Sequence, residues 1–355
     1  MRRFALSAGT LAFVIAIDVA IGDDSSHRLR AAGSAQAPAR LSETGLYVAG
    51  RVGVVDERNR QFSPQYPLWS DGAVKTRWVF LPPGSSIDAR DDRAWEFPVG
   101  ARFWKEFTFD GRKVETRMLW KTGPAEWVAV SYQWNEAQTD AVLASSLGEP
   151  DVAPVANRQH SIPSRSDCLA CHGARRTEPL GFNALQLSTD RDPNALHAEP
   201  LAAGSTTLRT LVDERLLSPT RTDLIDAPPR IGTGSPSTRR MLGYFSANCG
   251  SCHRGDGEIA VRVPSLRYSD LLRDGDAVVS SLIGRSTDWR VPSVAEGRSV
   301  LIDPTAPDSS AMLVRMRSRS PSSQMPPLGT VLRDRAAIDA FLQWIHELSV
   351  KSRAQ

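Results

Sequence analysis

The four cysteines of the 355-residue chain stand in two pairs of identical spacing, and a histidine follows each pair directly. The two motifs consist of Cys168, Cys171 and His172, and of Cys249, Cys252 and His253. On one helical turn, two thiols three residues apart reach the two vinyl groups of a porphyrin and form thioethers. The next residue then falls on the face that reaches the iron. The pattern predicts two covalently attached haem c groups, with His172 and His253 as iron ligands.

Other uses of paired cysteines account for less of this pattern. A redox dithiol or half of a zinc site needs one pair and no adjacent histidine. A structural zinc ion bound by four thiolates leaves both histidines without a role. Disulfides within each pair would close very short loops, which gain little from loop entropy. Haem attachment uses all four cysteines and both histidines, so it is the interpretation that we favour.

The region around the second motif resembles the class I domains of the cytochrome c family. Residues 237–248 read as a capped helix with aromatic side chains one turn before the motif, and residues 323–329 (SQMPPLG) resemble a distal-methionine loop. Prolines in that loop would stiffen the backbone that holds a thioether over the iron. The resemblance assigns Met325 as the sixth iron ligand. It implies that the Pro264 carbonyl accepts the N–H of the proximal imidazole and that Leu266 packs on the porphyrin.

The chain closes with an amphipathic stretch at residues 334–348. Its apolar stripe recurs at helical spacing and comprises Ile338, Phe341, Leu342, Ile345 and Leu348. In class I cytochromes the last helix crosses the helix before the haem motif, so the resemblance implies that these two helices close the haem cleft. His346 lies off the stripe and is expected at the surface.

The first motif has no methionine loop of this kind before the second domain begins. The candidates for its sixth ligand are His197, on a loop bounded by prolines, then His160, and an open iron. Met241 is a weaker candidate, because it sits where the helix before the second motif should pack. A structural hydrogen bond, or one to a haem propionate, is the alternative role for either histidine.

Residues 43–152 predict a β domain. Seven of the nine tryptophans fall between residues 69 and 134, and alternating runs at 102–109, 114–120 and 127–134 are separated by turn residues. Such runs indicate antiparallel strands joined by hairpins, in a sandwich or partly open barrel. Core packing is the favoured role of the tryptophans, and a carbohydrate-binding platform is the alternative.

The N-terminus predicts export. Arg2 and Arg3 precede an apolar run at residues 4–21 whose only charge is Asp18, and small residues follow. This is typical of a signal peptide over residues 1–22, with an uncleaved membrane anchor as the alternative. Residues 23–42 are small, polar and aperiodic, so they indicate a flexible linker. A periplasmic protein is expected, with membrane association if the segment is retained.

Composition excludes several classes of protein. Forty-three basic and 40 acidic residues give a formal charge of +3, too little for a nucleic-acid binder that works through its net field. Mean hydropathy of −0.29 and 23% charged residues exclude a polytopic membrane protein and a mostly disordered chain.

The chain after the linker resembles bacterial dihaem cytochromes with an N-terminal β domain. The shared pieces include residues 66–72 (YPLWSDG), 97–100 (FPVG), 115–117 (ETR), 132–136 (YQWNE) and 162–164 (IPS). The fold class is then α+β and multidomain, with a β domain at 43–152, a first haem-binding segment at 153–235 and a mainly α-helical class I-like cytochrome c domain at 236–355.

Three functions are consistent with these patterns. The favoured one is a dihaem carrier that passes electrons between a donor oxidoreductase and an acceptor, with redox proteins as partners. The second is a dihaem peroxidase or oxidase whose first iron is open. In the third, the β domain docks a tethered cytochrome onto a partner or a glycan. The sixth ligand of the first haem separates the first two, since two saturated irons favour electron transfer.

Overall fold

A computed structural model describes residues 36–172, 179–255, 264–294 and 298–354. The strands are β1 (Arg60–Gln61), β2 (Val74–Phe80), β3 (Ile87–Asp88), β4 (Arg102–Phe109), β5 (Arg112–Lys121), β6 (Trp127–Trp134), β7 (Ala141–Leu143), β8 (Glu149–Val155), β9 (Arg158–Ile162) and β10 (Leu217–Ser218). The helices are α1 (Arg165–His172), α2 (Leu208–Asp213), α3 (Asp223–Asp226), α4 (Pro236–Asn248), α5 (Tyr268–Leu282), α6 (Ala311–Arg317) and α7 (Arg335–Ala354).

The predicted signal peptide and most of the predicted linker lie outside the described residues. Within the described ranges, none of the helices is both long and apolar enough to cross a bilayer.

The β part is built around one antiparallel sheet with the strand order β1-β2-β4-β5-β6-β7. The three predicted strands are confirmed at 102–109, 112–121 and 127–134. Asp110 and Gly111 join β4 to β5 with φ of 47° and 79°, the positive values that a tight two-residue hairpin turn requires. Local alternation and turn chemistry were therefore sufficient to locate these strands.

The predicted sandwich or barrel is wrong, because no second large sheet covers this one among the described strands. Leu41, Leu46 and Tyr47 from the N-terminal segment pack on one face. The other face packs on chain that follows the first motif, including Phe182 and Leu208. Because coil and helices bury both faces, the sheet does not need to pair with a second sheet. The α+β fold class is confirmed.

Core packing is the role of most tryptophans in this region. Trp78, Trp95, Trp104, Trp127 and Trp134 are all less than 9% exposed. Their indole N–H groups contribute specific bonds where partners exist, as in the 3.0 Å bond from Trp134 to the Thr116 hydroxyl.

In the helical part, α4 and α7 cross through aromatic side chains. The Phe245 ring lies 5.2 Å from that of Phe341 and 6.1 Å from that of Trp344, both in edge-on geometry. The Trp344 indole donates a 2.9 Å hydrogen bond to the Thr238 hydroxyl. The predicted helices and their apolar stripe are confirmed, and His346 is exposed as expected. Trp344, fully buried at the crossing, was missed by the sequence analysis.

Tyr66 of the β part packs into the core of the helical part. Tyr66 belongs to the same buried cluster as Phe245 and Phe341, and its hydroxyl contacts Asp192 at 3.2 Å. Its ring lies so close to Gly243 of α4 that a Cβ there would fall 2.1 Å from the ring. The β and helical parts therefore share one core at this point.

Gly243→Ala tests this shared core. The added methyl must displace the buried Tyr66 ring, so we expect the free energy of unfolding to fall by about 1 to 3 kcal/mol. Urea denaturation followed by tryptophan fluorescence would measure it. Gly234→Ala is the matched control, because a Cβ at that position meets no atom within 4 Å. Equal stability of the two variants would contradict the packing described here.

Candidate functional site

The first motif lies entirely on α1, directly after the β8–β9 hairpin. The helix starts with a reciprocal cap: the Ser164 hydroxyl donates to Asp167 Oδ2 at 2.7 Å, and the Asp167 amide donates back to that hydroxyl at 3.2 Å. The Cys168 amide donates to the Ser164 carbonyl at 3.1 Å. The cap fixes where the helix begins, so the two thiols and His172 lie on its last turns.

The second motif continues from the end of α4 as a tight turn. The Cys249 amide bonds the Phe245 carbonyl at 2.8 Å, and the His253 amide bonds the Cys249 carbonyl at 2.9 Å. Gly250 between the cysteines has no room for a side chain, since a Cβ would lie 2.6 Å from the Leu266 carbonyl oxygen. The chain around Leu266 therefore packs directly against the motif.

The two motifs meet at their second cysteines. Interaction between the two thiols raises the pKa of Cys171 and lowers that of Cys252 to about 6. The Cys252 thiol also lies 3.9 Å from the carbonyl oxygen of Ala170. Burial raises the pKa of Cys249 to about 12. Groups attached to the two motifs would thus share one region of the molecule, which the sequence pattern did not reveal.

The donor set fits covalent haem. All four cysteines are free thiols. Burial lowers the pKa of His253, which favours the neutral imidazole that binds iron. Its Nδ1 is buried without a hydrogen-bond partner among the described residues, so the predicted bond to the Pro264 carbonyl is not formed. Leu266 is 1% exposed in the helical core, and its amide donates to the His253 carbonyl at 2.8 Å.

No group of three or more His, Cys, Asp or Glu side chains in the described ranges is arranged to hold a bare metal ion. A haem iron takes only one or two protein ligands, because the porphyrin supplies the others.

A cleft beside the second motif is lined by aromatic side chains, motif backbone and cationic side chains. It encloses about 670 Å³, counting the space open to solvent. Trp95 and Phe182 supply aromatic wall, Gly250 belongs to the motif, and Arg254 and Arg267 contribute positive charge. An apolar ring system that carries two carboxylates matches this combination.

Met325 lines a smaller pocket at the junction of the helical and β parts. The pocket measures about 260 Å³ on the same basis, and Met316, Tyr244 and Trp69 also line it. The Met325 amide donates to the Arg315 carbonyl at 3.0 Å, which ties the loop to α6. Met316 is buried in the helical core, and Met312 packs against that core.

Two residues of the 66–72 segment form hydrogen bonds that fix the chain around this pocket. The Trp69 amide donates to Asn248 Oδ1 at 2.8 Å, immediately before the second motif. The Asp71 carboxylate accepts the amides of Val331 and Leu332 at 2.8 to 3.0 Å, just after the methionine loop. The sequence analysis used this segment only as part of the family resemblance. Nothing local indicated its contacts 179 and 260 residues away.

His197 lies beside the methionine pocket. Its Nε2 bonds Asp334 Oδ2 at 2.8 Å, and its ring lies 6.4 Å from that of Trp69. Both of those residues line the pocket that contains Met325. Ligation of the first haem by His197 stays a prediction, and it would require this hydrogen bond to break if Nε2 were the ligating atom.

His160 belongs to a buried network next to the first motif. Its Nε2 lies 3.2 Å from Glu115 Oε2, and its ring lies 5.0 Å from that of Phe109. Glu115 also accepts two hydrogen bonds from Arg117, at 2.6 and 3.0 Å. The charge of Arg117 in turn opposes the rise that burial causes in the pKa of the Cys168 thiol. The structural hydrogen bond considered for His160 is therefore present, and ligation by this residue stays a prediction.

Comparison of the chain with protein-family models, with curated proteins and with solved structures found no match.

Glu115→Gln tests the buried network. Burial raises the pKa of Glu115, but Arg117 and His160 outweigh it and lower the pKa from 4.5 to about 2. A carboxyl whose pKa is lower in the folded state stabilises fully above pH 4.5 and loses that contribution as pH falls toward 2. We expect Glu115→Gln to reduce the free energy of unfolding at pH 7 by about 2 to 3 kcal/mol and to flatten its decline between pH 4.5 and 2.

Urea denaturation across a pH series would measure this effect. Glu136→Gln is the control, because Glu136 is exposed at a turn of the same sheet. An unchanged acid dependence in Glu115→Gln would contradict the network.

Proposed function

We propose that the protein is an exported dihaem c-type cytochrome that passes electrons between a donor oxidoreductase and an acceptor. The observation that carries the proposal is the 3.9 Å contact between the Cys252 sulfur and the carbonyl oxygen of Ala170, which joins the two haem-attachment motifs. Two one-electron centres attached there would lie next to each other, as a relay needs. We further propose a periplasmic location, redox proteins as partners, and membrane association if the N-terminal segment is retained.

The chain's own residues supply attachment, orientation and shielding. The thiols of each motif hold one porphyrin, and His172 and His253 each offer an imidazole to its iron. When bound, haem supplies reversible one-electron exchange. Met325 offers a thioether from a loop that Arg315 and Asp71 hold in place. Thioether ligation raises a potential relative to two imidazoles, so electrons would rest at the second motif.

A peroxidase-type or oxidase-type enzyme is the second candidate. It is favoured by the hydrogen bonds that engage the two histidines considered as sixth ligands of the first haem. Nε2 of His160 is bonded to Glu115, and Nε2 of His197 is bonded to Asp334. While these bonds hold, neither Nε2 atom is available as a sixth ligand, and without another protein ligand a small oxidant could take that position.

Attachment is tested by expressing the full chain in a host that matures c-type cytochromes. We expect two haems by intact mass and a haem-stained band on a denaturing gel, because non-covalent haem is lost there. Removing both thiols of one motif, by Cys168→Ala with Cys171→Ala or by Cys249→Ala with Cys252→Ala, should leave one haem. Ser251→Ala, which keeps the spacing, should retain two. A wild-type chain without bound haem would refute the proposal.

Spectra of the oxidised protein test ligation and separate the two candidates. Histidine–methionine ligation gives a weak band near the red edge of the visible, which Met325→Ala should abolish and Met312→Ala should leave intact. A carrier should be wholly low-spin by EPR and should not bind cyanide. A high-spin signal from half of the iron, with cyanide binding, would favour the enzyme. A wild-type spectrum without the red band would remove Met325 as a ligand.

A further inference from the structure

A row of cationic side chains crosses one face of the large sheet. Arg77 on β2 stands opposite Lys105 on β4, and Lys105 stands opposite Arg117 on β5. Lys75, two residues before Arg77, projects from the same face of β2. Phe107 lies on that face between them, with the Lys105 ammonium 4.9 Å and the Arg117 guanidinium 4.5 Å from its ring centre.

Like charges in directly opposed positions destabilise a sheet, and burial increases that cost. Arg77 is 3% exposed and Lys75 is 7% exposed, while Lys105 is partly buried. Burial, followed by the charge of Arg77, lowers the pKa of Lys75 to about 8. Burial and the three neighbouring cations also hold the pKa of Lys105 well below its ordinary value. The cluster therefore carries more positive charge than its surroundings favour.

Among the described residues of this row, only the two arginines are ion-paired with a carboxylate, while Glu199 and Asp334 act on Lys75, and Glu199 on Lys105, through charge alone. Arg77 is ion-paired with Glu199, and Arg117 is ion-paired with Glu115. The Lys75 ammonium donates to a neutral acceptor, the Leu68 carbonyl, at 2.7 Å. In the part of the chain that the structure describes, the Lys105 ammonium has neither a hydrogen bond nor an ion pair. Two lysines of the cluster are thus left without a carboxylate of their own.

The row runs toward the first motif. Arg117, at its β5 end, lies close enough to Cys168 for its charge to oppose the rise that burial causes in the pKa of that thiol. Glu115, which neutralises Arg117, also bonds His160 on the strand that leads into α1. A ligand beside Lys105 would therefore lie near whatever is attached to that motif.

We propose that Lys105 and Lys75 form a binding site for the carboxylates of an anionic ligand next to the first motif. The carboxylates have two sources to distinguish: the propionates of the haem attached at residues 168–172, or a free dicarboxylate that enters from solution. The first source rests on the proposed function, and the second does not.

Lys105→Met and Lys75→Met in the haem-loaded full chain test the first source. Loss of a cation beside a propionate favours ferric iron, so the ferric-to-ferrous ratio of one haem should rise at least threefold at a fixed applied potential. The propionate would also lose a partner that lowers its pKa. The pH at which the potential of that haem begins to change should therefore move upward, which a merely structural effect would not produce.

Lys113→Met is the matched control. Lys113 is a lysine of the same sheet, but it is ion-paired with Glu106 at 3.0 Å and lies over the Trp134 ring on the opposite face. It should change neither quantity. If Lys105→Met fails to fold, Lys105→Gln removes the charge and keeps a polar side chain.

Calorimetric titration of the haem-loaded wild type with succinate tests the second source. Binding that Lys105→Met weakens at least tenfold, without a change in either potential, assigns the site to a free dicarboxylate. Absence of both the redox shift and the succinate binding overturns the proposal. If the chain carries no haem, the proposed function fails separately, and succinate binding alone decides whether the lysines form an anion site.

Discussion

The packing of Tyr66 against Gly243 is the constraint on which the rest of the arrangement depends. A tyrosine from the β part reaches the core of the helical part because α4 presents bare backbone at that point. The chain that follows Tyr66 is then placed beside the end of α4 and the methionine loop. From there Trp69 binds Asn248, and Asp71 binds the backbone after Met325. The β part therefore lines the pocket that contains Met325, in addition to packing beside the helical part.

The two faces of the large sheet pack on different parts of the chain. One face is closed by apolar packing with the N-terminal segment. The other combines an apolar region, which packs on Phe182, with a charged region that reaches the first motif through Arg117 and Glu115. Charge buried on a sheet is costly unless it is compensated. The buried charge lies next to the predicted cofactor site. A functional role therefore explains its energetic cost better than a contribution to stability does.

Local patterns predicted the local structure well. Alternation located β4 to β6, helical spacing located α7, and the residues before Cys249 predicted α4, because each signal depends on near neighbours in the chain. The sandwich or barrel was wrong because alternation shows that a strand has two faces but does not show what covers them. The roles of Trp69 and Asp71 could not be predicted, and neither could the contact between the two motifs, since each depends on a partner 81 or more residues away. The partners of His197 and His160 were missed for the same reason.

The Asp71 carboxylate and the Val331 amide are 260 residues apart in the chain. Closing a loop of that length costs entropy before any contact repays it, so such contacts form late in folding. The backbone after Met325 therefore reaches its final arrangement only when nearly the whole chain has assembled. The starts of α1 and α4, in contrast, are fixed by side-chain caps three residues apart in the chain. The segments that carry the thiols or lead into them are thus set partly by near neighbours, whereas the methionine pocket depends on a contact across 260 residues.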